Sequence, residues 1–191
     1  MSMQTFAIAA SALVGAAMAT EPYHSGSIKT VETFQYGRFG TELKSSGKKG
    51  TVSSFFTYWE GDEHHPWSKA GWNELDVEIV PSMDDPYSTN IIYAGQKKDH
   101  AYIKNADAAT GWHTYWVEWT PEYIAWWYDG EEVRRVEGTA SERDIKKFSN
   151  LRMDFWTPEA AGWGDDFNDK AMPWYTQYKW VEVQDYDHAT K

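Results

Sequence analysis

The run from His113 to Val136 constrains this chain's fold more than any other stretch. His113 to Trp119 alternates in side-chain character, Thr120-Pro121-Glu122 turns, and Tyr123 to Tyr128 returns. Asp129-Gly130 then separates that run from Glu131 to Val136. An Asp-Gly pair between alternating runs is a strong hairpin signal. Short runs joined this tightly pair antiparallel, because a parallel pair needs a long crossover. The same grammar recurs along the chain. Thr33 to Leu43 alternates, with Gly37 and Gly40 marking a bend, and Thr51 to Trp59 is β-branched and aromatic. Trp72 to Val80, Ser88 to Tyr93, Asn150 to Trp156 and Tyr175 to Tyr186 read as further strands. Helical periodicity is scarce; Ser141 to Phe148 is short and polar and reads as a turn or loop. The pattern predicts an all-β antiparallel sandwich of jelly-roll type.

The chain has 191 residues, enough for one domain with a proper core. It has no cysteine, so a packed core rather than disulfides or thiolate metal sites must stabilise it. A formal net charge of -11 disfavours nucleic acid and anionic lipid as partners and suits a neutral substrate. No basic patch interleaved with aromatics offers a nucleic-acid surface. Nothing in the sequence specifies an oligomer. The chain carries 12 Trp and 12 Tyr. Core and cross-strand packing accounts for most of them, but flat rings also stack on sugars.

Residues Thr5 to Ala19 are apolar and rich in small side chains, and end in Ala17-Met18-Ala19, an A-x-A-like cleavage site. The preceding Met1-Ser2-Met3-Gln4 lacks the usual basic residue. The reading is a signal peptide over 1–19, too short for a comfortable membrane span, followed by a secreted domain over 20–191.

Glu74-Leu75-Asp76-Val77-Glu78 places three carboxylates at alternate positions of an apolar run. On a strand, Glu74, Asp76 and Glu78 share one face, while Leu75, Val77 and Ile79 point to a core. Trp72 has the same parity as the acids. A carboxylate and a carboxylic acid about 5–5.5 Å apart are what a retaining glycosidase needs. Four residues along a strand separate Cα atoms by about 13 Å, so two Glu side chains must lean together. Adjacent like charges keep one proton in place while a neighbour ionises. Two other readings compete: a solvated acidic face, and a calcium site, for which a strand supplies too few oxygen ligands. His64 and His65 sit in a polar loop and read as solvated rather than metal-binding.

Glu74-Leu75-Asp76-Val77-Glu78 resembles the E-x-D-x-E signature of glycoside hydrolase family 16. The flanking text is similar too: Gly50 to Tyr58, Trp112-His113-Thr114-Tyr115, Glu118-Trp119-Thr120-Pro121, Trp126 to Gly130 and Leu151 to Trp156. The similarity runs from about Ile28 to Tyr186 and is nearest to the lichenase (β-glucanase) branch. It implies a concanavalin A-like jelly roll and retaining hydrolysis of a mixed-linkage β-glucan. By position, Glu74 is the implied nucleophile, Glu78 the acid/base and Asp76 their assistant. Phe56, Tyr58, Asn90 and Trp156 are the implied substrate contacts, Trp72 joins them as an expected substrate-binding residue through its parity with the acids, and Asp154 stands where lichenases often carry Asn. His113 has a family counterpart and reads as a buried, hydrogen-bonded structural residue.

The chemistry requires no cofactor and no catalytic metal. The family's structural calcium site and some of its jelly-roll strands are built by a segment ahead of Ile28 that finds no counterpart here. That predicts an open sheet edge. The alternatives to a hydrolase are a catalytically silent carbohydrate-binding domain and a transglycosylase acting on cell-wall glycans.

Overall fold

The acidic run forms a central strand of a two-sheet sandwich. The computed structural model describes residues 25–59, 72–93, 97–104, 106–138, 148–158, 163, 167 and 173–186. The segment read as a signal peptide, the loop carrying His64 and His65, and residues 141–147 of the expected turn lie outside the described residues. All the described regular structure is strand. In chain order these are β1 (Ser25–Phe34), β2 (Gly37–Lys44), β3 (Val52–Trp59), β4 (Asn73–Ile79), β5 (Tyr87–Tyr93) and β6 (Lys97–Ile103). There follow β7 (His113–Trp119), β8 (Tyr123–Tyr128), β9 (Glu131–Glu137), β10 (Ser149–Trp156) and β11 (Gln177–Asp185).

One sheet has six strands in the order β1-β10-β3-β4-β5-β6, the other five in the order β11-β2-β7-β8-β9. Each described pairing within them is antiparallel. The expected hairpins at β7-β8-β9 are adjacent strands of the second sheet.

Alternation decides which side chains enter the space between the sheets. Leu75, Val77 and Ile79 of β4 are fully buried, alongside Phe55, Ile91, Phe39, Leu43, Val117, Trp119, Ile124 and Trp126. Tyr87 and Tyr115 meet edge to face across the sandwich with centroids 5.2 Å apart. Arg134 of β9 reaches over to the first sheet, donating to Thr89 Oγ1 (2.9 Å) and Asp99 Oδ1 (2.7 Å).

Three details differ from the sequence reading. The expected strand over Thr33 to Leu43 is two strands in different sheets, split where Tyr36 (φ 63°) and Gly37 (φ 134°) take positive φ. A Cβ on Gly37 would stand 2.7 Å from the Gln184 carbonyl oxygen, so this crossing needs glycine. Gly40 marks no bend; it lies within β2, where the Trp116 ring covers it, 2.3 Å from where a Cβ would sit. Finally, β1 and β6 form the two edges of the six-stranded sheet and were not foreseen. Their sequences are polar because an edge strand with an exposed face buries little. On β1, an outer strand among the described residues, Val31 is 93% exposed.

Candidate active site

Register across the six-stranded sheet sets the site. Glu78 lies opposite Ser54 on β3 and Ser88 on β5; Asp76 lies opposite Phe56 and Asn90; Glu74 lies opposite Tyr58 and Ile92. On β10, Asp154 pairs with Ser54 and Arg152 with Phe56, and Ser27 of β1 completes the first row beside Asp154. Residues paired this way share a face, so three rows run across the strands on the side away from the core.

A pocket of ≈ 180 Å³ opens on this face, lined by Ser54, Phe56, Glu74, Asp76, Glu78, Asp154 and Trp156. The three β4 carboxyls therefore share one cavity with two aromatic rings. Asp76 is buried at 5% exposure, whereas Glu74 and Glu78 are half-buried and reachable. Tyr58 stands on the same face beside Glu74, outside the pocket lining. It packs edge to face on Phe56 (6.2 Å) and beneath the Arg152 guanidinium (4.1 Å). Asn90 adjoins Asp76, and its buried Oδ1 has no hydrogen-bond partner among the described residues. Trp72 precedes β4, half-buried, and does not line the pocket; its indole nitrogen is also buried and unpartnered among the described residues.

Two bonds from the opposite sheet hold the floor. Trp126 Nε1 donates to the Asp76 backbone carbonyl (2.9 Å), and Tyr178 Oη donates to the Ser54 carbonyl (2.7 Å). Burial pushes the Tyr178 phenol above its usual range, so it remains a donor at all ordinary pH.

Asp154 is a fourth carboxyl in the pocket. Burial raises its pKa above the ordinary carboxylate value, against the opposing effects of the Ser27 hydroxyl that donates to Oδ1 and the nearby Arg152 charge. Ser54 and Asp154 join the acids through register rather than through proximity in sequence. The family resemblance marks the position of Asp154; nothing in its local sequence marks Ser54.

His113 sits in the other sheet. Its Nε2 donates to the Thr110 carbonyl (2.7 Å), its Nδ1 lies 2.7 Å from Asp129 Oδ2, and its ring stacks on Tyr128 at 5.0 Å. It is hydrogen-bonded as expected, but half-buried rather than buried. Among the described residues, no group of three or more His, Cys, Asp or Glu side chains is placed to hold a metal ion.

The family pattern for glycosyl hydrolases family 16 matches residues 2–180. The chain belongs to this family. Among relatives of this family 16 member, the beta-glucanase of Fibrobacter succinogenes is 34% identical over 184 residues, covering 93% of this chain and 51% of that protein. The beta-glucanase of Brevibacillus brevis is 30% identical over 166 residues, covering 83% of this chain and 60% of that protein. The chain thus spans about half the length of the first of these relatives and less than two thirds of the second. The fold is shared with solved structures. A lichenase from a mouse hindgut metagenome superposes with TM-score 0.71 at 24% identity, covering 90% of this chain and 77% of that one. Bacillus licheniformis beta-glucanase superposes with TM-score 0.69 at 24% identity, covering 84% and 71%. The family 16 chain is accordingly an all-β sandwich of the lichenase type.

Proposed function

We propose that this protein is an endo-acting β-glucanase that hydrolyses mixed-linkage β-glucan with retention of configuration. One observation carries the reading: the three β4 carboxyls open into a single pocket beside Phe56 and Trp156, in a chain of family 16. In this reading Trp156 and Phe56 hold the sugar whose anomeric carbon reacts. The ionised Glu74 attacks that carbon, and protonated Glu78 gives its proton to the departing oxygen, so the glycosidic bond breaks as the Glu74 ester forms. Glu78, now a carboxylate, takes a proton from water, which displaces Glu74 and regenerates both groups. Asp76, buried between them and fixed by Trp126, holds the charge of the nucleophile side in place. Asn90 Oδ1 can accept a hydrogen bond from a sugar hydroxyl, which would satisfy a buried acceptor.

The apolar Thr5 to Ala19 leader supports export. Among the described residues no helix is long and apolar enough to cross a membrane. Sequencing the N-terminus of exported protein should find Thr20; retention of Met1 on exported material would refute cleavage after Ala19.

The decisive assay is reducing-sugar release from lichenan by wild type and Glu74→Gln. Release by the wild type, with at least about a thousandfold loss in the folded variant, supports the reading. Equal turnover by the two removes the assignment. Binding without release by the wild type would favour a silent carbohydrate-binding domain.

A further inference from the structure

Ser88 is fully buried in the strand next to Glu78, and its hydroxyl is hydrogen-bonded to His100 Nε2 at 2.7 Å. His100 lies on edge strand β6, exposed, in the row that begins with Phe56 and passes through Asp76 and Asn90. Its ring meets Tyr102 edge-on at 4.6 Å. Trp163 closes the arrangement: its Nε1 donates to Tyr102 Oη (2.9 Å), and its ring centroid lies 6.2 Å from His100 and 6.4 Å from Trp156. Trp156, Trp163, Tyr102 and His100 thus form one aromatic wall on the acidic face. The sheet order puts Phe56 and Trp156 on one flank of β4 and Ser88, His100 and Tyr102 on the other.

We propose that His100, fixed by Ser88 and walled by Trp163, binds the sugar on the leaving side of the scissile bond. The proposal deepens the β-glucanase reading and rests on it. If the reacting sugar occupies the Phe56–Trp156 flank, the departing one lies beyond Glu78, on the β5–β6 flank. Ser88 is registered directly beside Glu78, so the imidazole it holds stands next to the acid/base, within reach of a hydroxyl on the departing ring. The flat wall faces a pyranose ring, and an imidazole hydrogen-bonds to its hydroxyls as donor or acceptor. The ligand class is a neutral β-linked glucose unit, since the flank adjoins an acidic pocket. The buried serine restricts the imidazole orientation, which lowers the ordering cost of binding.

The test compares a substrate whose leaving group is a sugar, mixed-linkage β-glucan, with a dinitrophenyl β-cellobioside, whose leaving group is not. His100→Ala is expected to lose about tenfold more kcat/KM on the glucan than on the aryl glycoside. Ser88→Ala should show the same selective loss in weaker form. His100→Gln, which keeps a group able to bond Ser88, should recover part of the glucan activity. Equal losses on both substrates, or no loss on the glucan, overturn the proposal while leaving the hydrolase reading intact. A wild type inert on both substrates would sink the hydrolase reading and the subsite with it.

Discussion

The indole of Trp126 donates to the backbone carbonyl of Asp76 at 2.9 Å, tying the middle of the acidic strand to the opposite sheet. Trp126 is fully buried, and the Arg134 guanidinium lies 4.7 Å from its ring centroid. The position of the three carboxyls therefore depends on a residue that touches no substrate.

Trp126→Phe removes that donor and leaves a carbonyl lone pair unmatched in the core. The expected cost is about 1–3 kcal/mol of stability, with a fall of about tenfold in kcat from a displaced strand. Trp119 is a useful contrast, because it is equally buried and its Nε1 has no partner among the described residues. Trp119→Phe loses no such bond and should leave kcat near wild type. Urea titration and lichenan assays of both variants measure the difference.

Asp154 is raised by burial, so the native state holds its proton more tightly than the unfolded chain does. Its contribution to stability is therefore present at acid pH and is lost as pH rises from the ordinary carboxylate range through the raised value. Asp154→Asn removes this dependence. The Asn variant should gain stability relative to wild type at neutral pH, with the difference shrinking or reversing at acid pH. Melting curves across a pH series test the sign.

Asp129 behaves in the opposite sense. Burial alone would raise its pKa, but hydrogen bonds from His113 and the Thr114 backbone outweigh that and hold it below the usual value. Stability from this group is present above the unfolded carboxylate pKa and is lost as pH falls through the lowered one. Asp129 sits at φ 47°, which Asn adopts readily, so Asp129→Asn tests charge without backbone strain. The expected cost at neutral pH is small, below about 1 kcal/mol because solvent screens this 47% exposed carboxylate, and it is absent at strongly acid pH. Glucan cleavage by the folded variant should persist, because the turn belongs to the other sheet.

Azide rescue distinguishes the roles of the two glutamates. With Glu74→Ala, azide should enter from the vacated side and give an α-glycosyl azide from an aryl glycoside. With Glu78→Ala, the ester still forms and azide should give the β-glycosyl azide. The reverse pairing, read by NMR of the products, would exchange the assignments.

Central strands were legible because they carry a contrast between faces. On β4, Leu75, Val77 and Ile79 are buried while the acids face the pocket, and that contrast is written in alternate letters. Among the described residues β1 and β6 are the outer strands of their sheet, so Ser-Gly-Ser-Ile-Lys and Lys-Lys-Asp-His carry no comparable signal. The same limit applies to the site. Residues on β4 could be read from one short segment. Ser54, Ser88, His100 and Asp154 reach the acidic face through strand register, which depends on pairings between distant parts of the chain.

The most direct test is to trap the covalent intermediate. A fluorinated β-cellobiosyl fluoride, which slows breakdown of the glycosyl ester, should label one carboxylate stoichiometrically, and peptide mapping by mass spectrometry should find the sugar on Glu74. A sugar on Glu78, on Asp154 or on any residue outside β4, or an active enzyme that accumulates no adduct, would contradict the proposed chemistry.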